Sequence, residues 1–273
     1  MTLLNLAARV CNTFTISSSQ HSRTVQKVKE NQYRDVVTNL DMTLHHVSEQ
    51  FVNERLPGCK LISEEGDHAE ISSEVLRDGE WLIVDPLDGS NNHVMGMPNY
   101  GYMAAHLSHG SLAGAVVVLP EENQYIVIQD QRILFAQPLP LRENGEFGTV
   151  YYAYPPNQGT PARQARNALI DLIDSNSAGM YRYGSACAGL YQVLCGRHVA
   201  FIGHQIRLWD AIAFLPILKS ANINVMYYIK EWEITLVASN EEGLVENVAK
   251  ILKNEQGIIL QKFVDSEIRV DAS

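Results

Sequence analysis

Apolar positions in the first half of the chain predict two helices followed by strands. Helical spacing spans about residues 2–17 and 41–55. Two short apolar runs, 60–63 and 81–84, each end at a pair of acidic residues. Further runs separated by turn residues predict an antiparallel meander at 101–107, 111–119, 125–129 and 133–136. This half is therefore expected to be α+β.

In the second half, strand and helix patterns alternate, as they do in α/β proteins. Strands are predicted at 149–154, 180–183, 198–202 and 233–238, and helices at 161–174, 185–195 and 241–253. Another helix is predicted to begin at Asp210 and to kink at Pro216. The prolines at 138 and 140 and the polar run 143–148 predict two halves, 1–145 and 146–273, without a flexible linker.

The candidate chemistry begins where the strand predicted at 81–84 ends. Asp85 and Asp88 follow it, separated by Pro86 and Leu87 and followed by Gly89. Two carboxylates held this close repel one another unless a cation lies between them, and hard divalent ions favour such oxygen ligands. The carbonyl oxygen of Leu87 could add a further ligand. A solvated Asp-Pro turn that caps the next helix would also explain the pattern.

Three further sites carry acids in similar positions. Glu64 and Glu65 follow the strand at 60–63, while Asp41 and Asp210 lie where helices are predicted to begin. A carboxylate in the first turn of a helix is ordinarily a cap stabilised by the helix dipole, so capping is the alternative for the last two residues.

Taken together, Asp41, Glu64-Glu65, Asp85-Pro-Leu-Asp88-Gly-Ser90 and Trp209-Asp210 resemble the motifs of the inositol monophosphatase family. The resemblance extends from residue 35 to residue 210. It implies a layered α/β/α/β/α sandwich of the sugar-phosphatase type and Mg²⁺-dependent hydrolysis of a phosphate monoester of a small metabolite. It also implies inhibition by Li⁺ and a homodimer.

The resemblance further implies a role for each matching residue. Two or three Mg²⁺ ions are expected, and their ligands are Glu64, Glu65, Asp85, the Leu87 carbonyl, Asp88 and Asp210. The catalytic residues are expected to be Glu64, Ser90 and Asp41, with the Ser90 hydroxyl and Glu64 orienting the attacking water. Asp41 and Glu65 are expected to help to place water and a weaker third ion.

Substrate-binding residues are expected at two turns and one basic position. Backbone amides at Gly89, Ser90 and Asn91 would bind phosphate if a helix begins there, because its first N–H groups have no partner within the helix. Ser185 lies in a Gly-Ser-Ala segment that matches the family's substrate side, and Arg207 suits a further anionic group. Ordinary capping explains the serines and Asn91 equally well, and a surface ion pair explains Arg207.

Departures from the family pattern bear on the substrate. His93 replaces an aromatic residue, and residues 201–207 lack the acid that binds inositol hydroxyls in inositol-specific members. His204, Gln205 and Arg207 in that segment would suit a sugar phosphate or a nucleotide. A 3'(2'),5'-bisphosphate nucleotidase or a sugar bisphosphatase is therefore an alternative, and a non-catalytic regulatory member is another.

Composition narrows the protein class. The net charge of −10 argues against nonspecific binding to nucleic acid or an anionic membrane, and no apolar run approaches the roughly 20 residues of a membrane span. Four dispersed cysteines without a CxxC pair predict free thiols and a cytoplasmic protein. His45 and His46 are adjacent and are expected to point apart on a helix, which is poor ligand geometry.

Overall fold

The computed structural model describes residues 2–17, 23–28, 36–66, 76–140, 148–155, 159–264 and 266–271. Seven helices lie within these residues: α1 Thr2–Ile16, α2 Asn39–Arg55, α3 Ser90–Met95, α4 Thr160–Asn176, α5 Ala186–Leu194, α6 Phe214–Ser220 and α7 Glu242–Gln256. The strands are β1 Val25–Val28, β2 Val36–Thr38, β3 Lys60–Ser63, β4 Glu80–Asp88, β5 Gly101–Ser108, β6 Ser111–Leu119, β7 Gln124–Gln129, β8 Arg132–Phe135, β9 Thr149–Ala153, β10 Gly179–Tyr181, β11 Ala200–Arg207, β12 Val225–Lys230, β13 Glu233–Ser239, β14 Gln261–Lys262 and β15 Val270–Asp271.

The first large sheet has six strands in the order β3-β4-β5-β6-β7-β8. The pair β3–β4 is parallel, and every later pair is antiparallel, which confirms the predicted meander. Helices α1 and α2 cover one face through an apolar cluster that includes Leu6, Leu44 and Val84. The alternation of side chains along each strand explains this face, since every second residue points to the same side.

The second large sheet has seven strands, with order β10-β9-β11-β13-β12-β14 and β15 beside β12. Helices α4 and α7 cover its outer face, where Leu169, Ile202 and Leu252 are fully buried. Strand β12 was not predicted. Its residues alternate between buried and half-buried up to exposed Lys230, and two adjacent tyrosines interrupt its apolar pattern.

Helices α5 and α6 lie between the two sheets. Helix α5 contacts β5 and β11, whereas α6 contacts β6 and β12. One apolar cluster therefore joins residues of both sheets to both helices, among them Met103, Leu190, Phe214 and Leu236. The resulting order of layers is α/β/α/β/α, which confirms the predicted fold class.

The predicted kinked helix at Asp210 is wrong. Residues Leu208–Asp210 form one turn of 3₁₀ helix, and α6 begins only at Phe214. Pro216 therefore lies in the first turn of α6, where a backbone N–H would have no partner within the helix, and no kink is required.

The predicted division at residue 145 falls in 141–147, outside the described residues, and stays a prediction. The four cysteines are free thiols, and Cys187 and Cys195 are buried. Within the described part of the chain, every helix is too short or too polar to cross a membrane.

Candidate active site

Asp85 and Asp88 lie at the carboxyl end of β4, where the strand is irregular. Asp85 pairs with Met103 and Asp88 with Gly101, so β4 has one more residue than β5 between these two pairs. Such a bulge re-aims side chains and accommodates a proline. Strand β4 thus continues through Pro86 to Asp88, beyond the predicted end at residue 84, and Asp85 is almost fully buried.

Gly89 turns the chain from β4 into α3. Its φ of 88° lies in the left-handed region. A Cβ atom at this position would lie 2.6 Å from the carbonyl oxygen of Asn99 and 3.1 Å from Cβ of Ser185. Only glycine fits both the conformation and the space.

Glu64 and Asp210 converge on Asp85 from two different sheets. The parallel pairing of Ser63 with Val84, and the bond from the Glu64 N–H to the Val84 carbonyl, place Glu64 beside Asp85. Asp210 follows β11 of the second sheet, and its Oδ2 accepts a hydrogen bond from the Arg207 N–H. Carboxylate oxygens of Glu64, Asp85 and Asp210 all lie within 4.8 Å of one another.

Asp41 reaches the same region from the start of α2. Thr38 caps the helix, and both its N–H and its hydroxyl donate to Oδ2 of Asp41. The Ser90 hydroxyl lies 2.7 Å from Oδ1 of Asp41 and 2.7 Å from the Leu87 carbonyl oxygen. Asp41 is therefore a capping residue, as the alternative held, and it also contacts Ser90.

Asp88 is held by the N-terminus of α5. Its Oδ2 accepts bonds from the Ser185 hydroxyl and the Cys187 N–H, both at 2.6 Å. The Tyr151 hydroxyl in turn fixes this turn, because it donates to the Ser185 carbonyl and accepts from the N–H groups of Tyr183 and Ser185. The second half of the chain thus positions a carboxylate of the first half.

Asn92 makes another connection between the halves. Its Nδ2 donates to the carbonyl oxygens of Asn99 at 2.6 Å and Tyr183 at 2.8 Å. Neither Tyr151 nor Asn92 is among the site residues predicted from the sequence. No local signal marks Tyr151, whereas the Thr38-x-x-Asp41 spacing could have been recognised as a capping box.

Burial and repulsion from neighbouring carboxylates make Asp85, Asp88 and Asp210 hold protons more tightly. Loss of hydration, followed by repulsion from Glu64 and Asp88, raises the pKa of Asp210 well above its usual range. The pKa of Asp85 is raised in the same way, and burial raises the pKa of Asp88 to about 6 despite its hydrogen bonds. A cation at this point would compensate the charge, and oxygen donors of this kind fit Mg²⁺.

Three other predicted site residues are Glu65, Asn91 and Arg207. Glu65 is half-buried in the turn after β3, and Asn91 is half-buried in α3. Arg207 is exposed, with its guanidinium 4.0 Å from the Glu233 carboxylate. The roles predicted for these residues stay predictions.

Two histidines have structural contacts. The suggestion that His204 faces a substrate is wrong, because it is fully buried and hydrogen-bonded to the Tyr152 hydroxyl and to Oε1 of Gln256. His93 is also buried, and its ring packs edge-on against Tyr100 with centroids 5.0 Å apart.

The sequence profile of the inositol monophosphatase family matches residues 3–266. The chain belongs to that family. Its enzyme class is therefore that of the phosphoric monoester hydrolases.

The relatives that this chain resembles in sequence are described with different roles. The putative Nus factor SuhB of Neisseria meningitidis serogroup B is 28% identical over 204 residues, which cover 71% of this chain and 74% of the relative. A fructose-1,6-bisphosphatase/inositol-1-monophosphatase of Thermotoga maritima is 25% identical over 203 residues, covering 71% and 72%.

Among solved structures, a staphylococcal inositol monophosphatase in an inhibitory complex soaked in 100 mM LiCl has the same fold. The TM-score is 0.72 at 19% identity, with 96% of each chain covered. The layered architecture is thus shared by proteins whose sequences have diverged widely.

Proposed function

We propose that the protein hydrolyses a phosphate monoester of a small metabolite in a Mg²⁺-dependent reaction. The observation that carries the proposal is the convergence of Glu64, Asp85 and Asp210 from two sheets, with oxygens within 4.8 Å of one another. Holding three like charges this close, with Asp85 buried and Glu64 and Asp210 half-buried, is costly for a fold, and a bound cation would offset that cost.

The proposed ligand set extends beyond these three residues. Glu64, Asp85 and the Leu87 carbonyl would hold one ion, and Asp85, Asp88 and Asp210 a second, while Glu65 and Asp41 would serve a weaker third. When bound, the ions neutralise the phosphate, lower the pKa of a bound water and stabilise the leaving oxygen.

The remaining residues would orient water and substrate. Ser90 is positioned by Asp41 and by the Leu87 carbonyl, and Glu64 lies in the neighbouring turn, so Ser90 and Glu64 would direct the attacking water. The backbone amides at Gly89, Ser90 and Asn91 would bind the phosphate, supported by the left-handed turn at Gly89. Ser185 would contact the substrate through the turn it shares with Asp88, and exposed Arg207 would bind a further anionic group.

The substrate class follows from what surrounds the phosphate position. The absence of an acid in 201–207 argues against inositol phosphate itself. A sugar phosphate or a nucleotide fits better, although the relative described as a fructose-1,6-bisphosphatase/inositol-1-monophosphatase supports a sugar bisphosphate and an inositol phosphate equally. Inhibition by Li⁺ is expected from the staphylococcal neighbour's inhibitory complex. A homodimer and a cytoplasmic location remain part of the proposal.

A regulatory member without turnover is a second candidate, because one relative is described as a putative Nus factor. The two candidates differ in one measurable property. Mg²⁺ binding with no hydrolysis across a broad panel of phosphate esters would favour the regulatory role, whereas hydrolysis of one ester class would favour the enzyme.

The deciding experiment measures phosphate release with Mg²⁺, with EDTA, and with Mg²⁺ plus Li⁺. The wild type and Asp210→Asn are compared, with Asp174→Asn on the exposed surface of α4 as the matched control. We expect kcat to fall by about 100-fold or more in Asp210→Asn, since even outer-shell partners of a metal contribute about 10–100-fold. Asp174→Asn should be unaffected, and unchanged turnover in Asp210→Asn would refute the proposal.

A further inference from the structure

A second group of metal-ligating side chains lies on α2, apart from the carboxylate cluster. Nε2 of His45 is 3.5 Å from Oε1 of Glu49, and Nδ1 of His46 is 3.0 Å from Oε2 of the same residue. One ligand atom from each of the three residues lies within 4.8 Å of the other two. The expectation that His45 and His46 form poor ligand geometry is therefore wrong.

The helix itself explains this arrangement. Successive side chains of an α-helix are turned by about 100°, so His45 and His46 diverge at their Cα atoms. Glu49, however, is four residues after His45 and three after His46, and side chains at both of these spacings are neighbours on a helix surface. Its two carboxylate oxygens each face one imidazole ring.

The remaining nitrogen of His45 is fixed from the neighbouring strand. Nδ1 of His45 lies 2.9 Å from the hydroxyl of buried Ser63. With Nδ1–H donating to the Ser63 hydroxyl, this bond sets the ring orientation and leaves the lone pair of Nε2 for an ion, as metal-binding histidines do when they donate through their second nitrogen. Burial also lowers the pKa of His45, which favours the neutral form that binds a metal.

We propose that His45, His46 and Glu49 form a second cation site, selective for a late first-row divalent ion such as Zn²⁺. Zinc bound tetrahedrally to imidazole nitrogen at about 2.0–2.1 Å requires ligand atoms about 3.3 Å apart. The two nitrogen–oxygen separations, 3.5 Å for His45 and 3.0 Å for His46, involve different oxygens of Glu49 and lie on either side of this value. Imidazole donors favour Zn²⁺ over Mg²⁺, so the two sites are expected to prefer different ions because their ligand types differ.

The site lies close to the catalytic turn. Ser63 is followed by Glu64 and Glu65, and the turn closes with the Gly66 N–H donating to the Ser63 carbonyl at 2.8 Å. An ion on His45 is therefore separated from the carboxylate-bearing turn by one hydrogen-bonded side chain. The second site does not depend on the proposed hydrolysis, since its ligands are distinct from those of the carboxylate cluster.

The test is a Zn²⁺ titration by calorimetry on the full chain, with excess Mg²⁺ present to occupy the oxygen site. His46→Ala and Glu49→Gln alter exposed side chains on the solvent side of α2, so both variants are expected to fold. His109→Ala is the matched control, because exposed His109 also faces a carboxylate, Glu80, at 3.5 Å. A Co²⁺ absorption spectrum of each protein supplies a readout of nitrogen ligation that is independent of activity.

We expect the wild type and His109→Ala to bind one Zn²⁺ ion more per chain than His46→Ala and Glu49→Gln. We also expect the Co²⁺ bands of nitrogen ligation to be lost in His46→Ala. Equal stoichiometry in all four proteins would overturn the proposal, because the surface group would then be a pair of ordinary hydrogen bonds to Glu49. Loss of an ion in His109→Ala as well would also overturn it, since binding would reflect surface histidines in general.

Discussion

At the scale of single residues, Asp88, a proposed metal ligand, shows how a carboxylate is oriented by groups far away in sequence. One of its oxygens is occupied by the Ser185 hydroxyl and the Cys187 N–H, and Tyr151 holds that turn in place. These contacts set the direction in which the carboxylate faces the cluster. Removal of the Tyr151 hydroxyl should therefore weaken ion binding.

Tyr151→Phe is predicted to raise the Mg²⁺ concentration needed for half-maximal activity by about 10-fold, because outer-shell partners of a metal are typically worth about 10–100-fold. The ring itself is retained, and it stacks on Phe201 with an interplanar angle of 6°. Tyr227→Phe is the matched control, since the Tyr227 hydroxyl donates to the Glu267 carbonyl and accepts from the Arg269 N–H. Equal Mg²⁺ dependence in both variants would show that Tyr151 is only structural.

At the scale of elements, the end of β4 and the turn at Gly89 determine where the site residues meet. The bulge lies between the pairs Asp85–Met103 and Asp88–Gly101. It allows Asp85 and Asp88 to belong to one strand although Pro86 lies between them. Gly89 then reverses the chain so that Ser90 returns toward Asp41. The left-handed residue is therefore required by the site as well as by the fold.

Gly89→Ala is predicted to lower the free energy of unfolding by about 1–2 kcal/mol for the left-handed conformation. A further cost of about 1–3 kcal/mol is expected for the clash with Asn99 and Ser185. Gly58→Ala isolates the first contribution, because Gly58 has φ of 86° and an added Cβ atom would have no neighbour within 4 Å. Denaturant unfolding of both variants measures the difference. Equal losses would contradict the steric explanation.

At the scale of the whole molecule, the carboxylate cluster couples the two sheets through repulsion. Glu64 and Asp85 belong to the six-stranded sheet and the turn beside it, whereas Asp210 follows a strand of the seven-stranded one. Without a cation these charges oppose close approach of the sheets. With a cation bound, the same groups should hold the sheets together, because a ligand that binds only the folded state stabilises it.

The carboxylate cluster makes both the stability of the metal-free protein and its metal binding depend on pH, with opposite signs. The folded-state pKa of Asp88 is raised to about 6, from about 3.9 in an unfolded chain, and those of Asp85 and Asp210 are also raised. In the metal-free protein, the stability that Asp88 contributes is fully present below about pH 4 and is lost as the pH rises through about 6. The contributions of Asp85 and Asp210 change with pH in the same direction. Metal binding has the opposite dependence, since it requires deprotonated ligands.

The rise in melting temperature caused by Mg²⁺ is therefore predicted to be larger at about pH 8 than at about pH 5. Saturation at 100 times the dissociation constant would contribute about 2.7 kcal/mol. Differential scanning calorimetry with Mg²⁺ and with EDTA at each pH measures this rise. The difference between the two melting temperatures removes the contribution of the buried histidines, which titrate in both samples. Asp210→Asn should show a smaller rise, and an increment independent of pH would contradict the prediction.

Much of this architecture could be predicted from the sequence, because it depends on local patterns. The strands 101–108 and 111–119 follow from alternation between turn residues, and α2 follows from helical spacing after a Thr-x-x-Asp capping box. Acids at strand ends and helix starts indicated a metal cluster for the same reason, since β3 and β4 deliver their last residues to one edge of the sheet. The spacing of Glu49 to His45 and His46 is equally local.

Other features arise only in the folded chain, since they depend on which distant segments pack together. Local patterns near Asp210 do not indicate that it meets Glu64 and Asp85, which only the resemblance to the family implied. Tyr151 lies 63 positions from Asp88, which it supports only through the turn at Ser185. His204 became a core residue because β11 directs it toward Tyr152 and Gln256. Local patterns thus specify the elements and the kinds of ligand. The packing of two sheets around α5 and α6 specifies where the ligands meet, because burial and hydrogen bonding between distant residues exist only after folding.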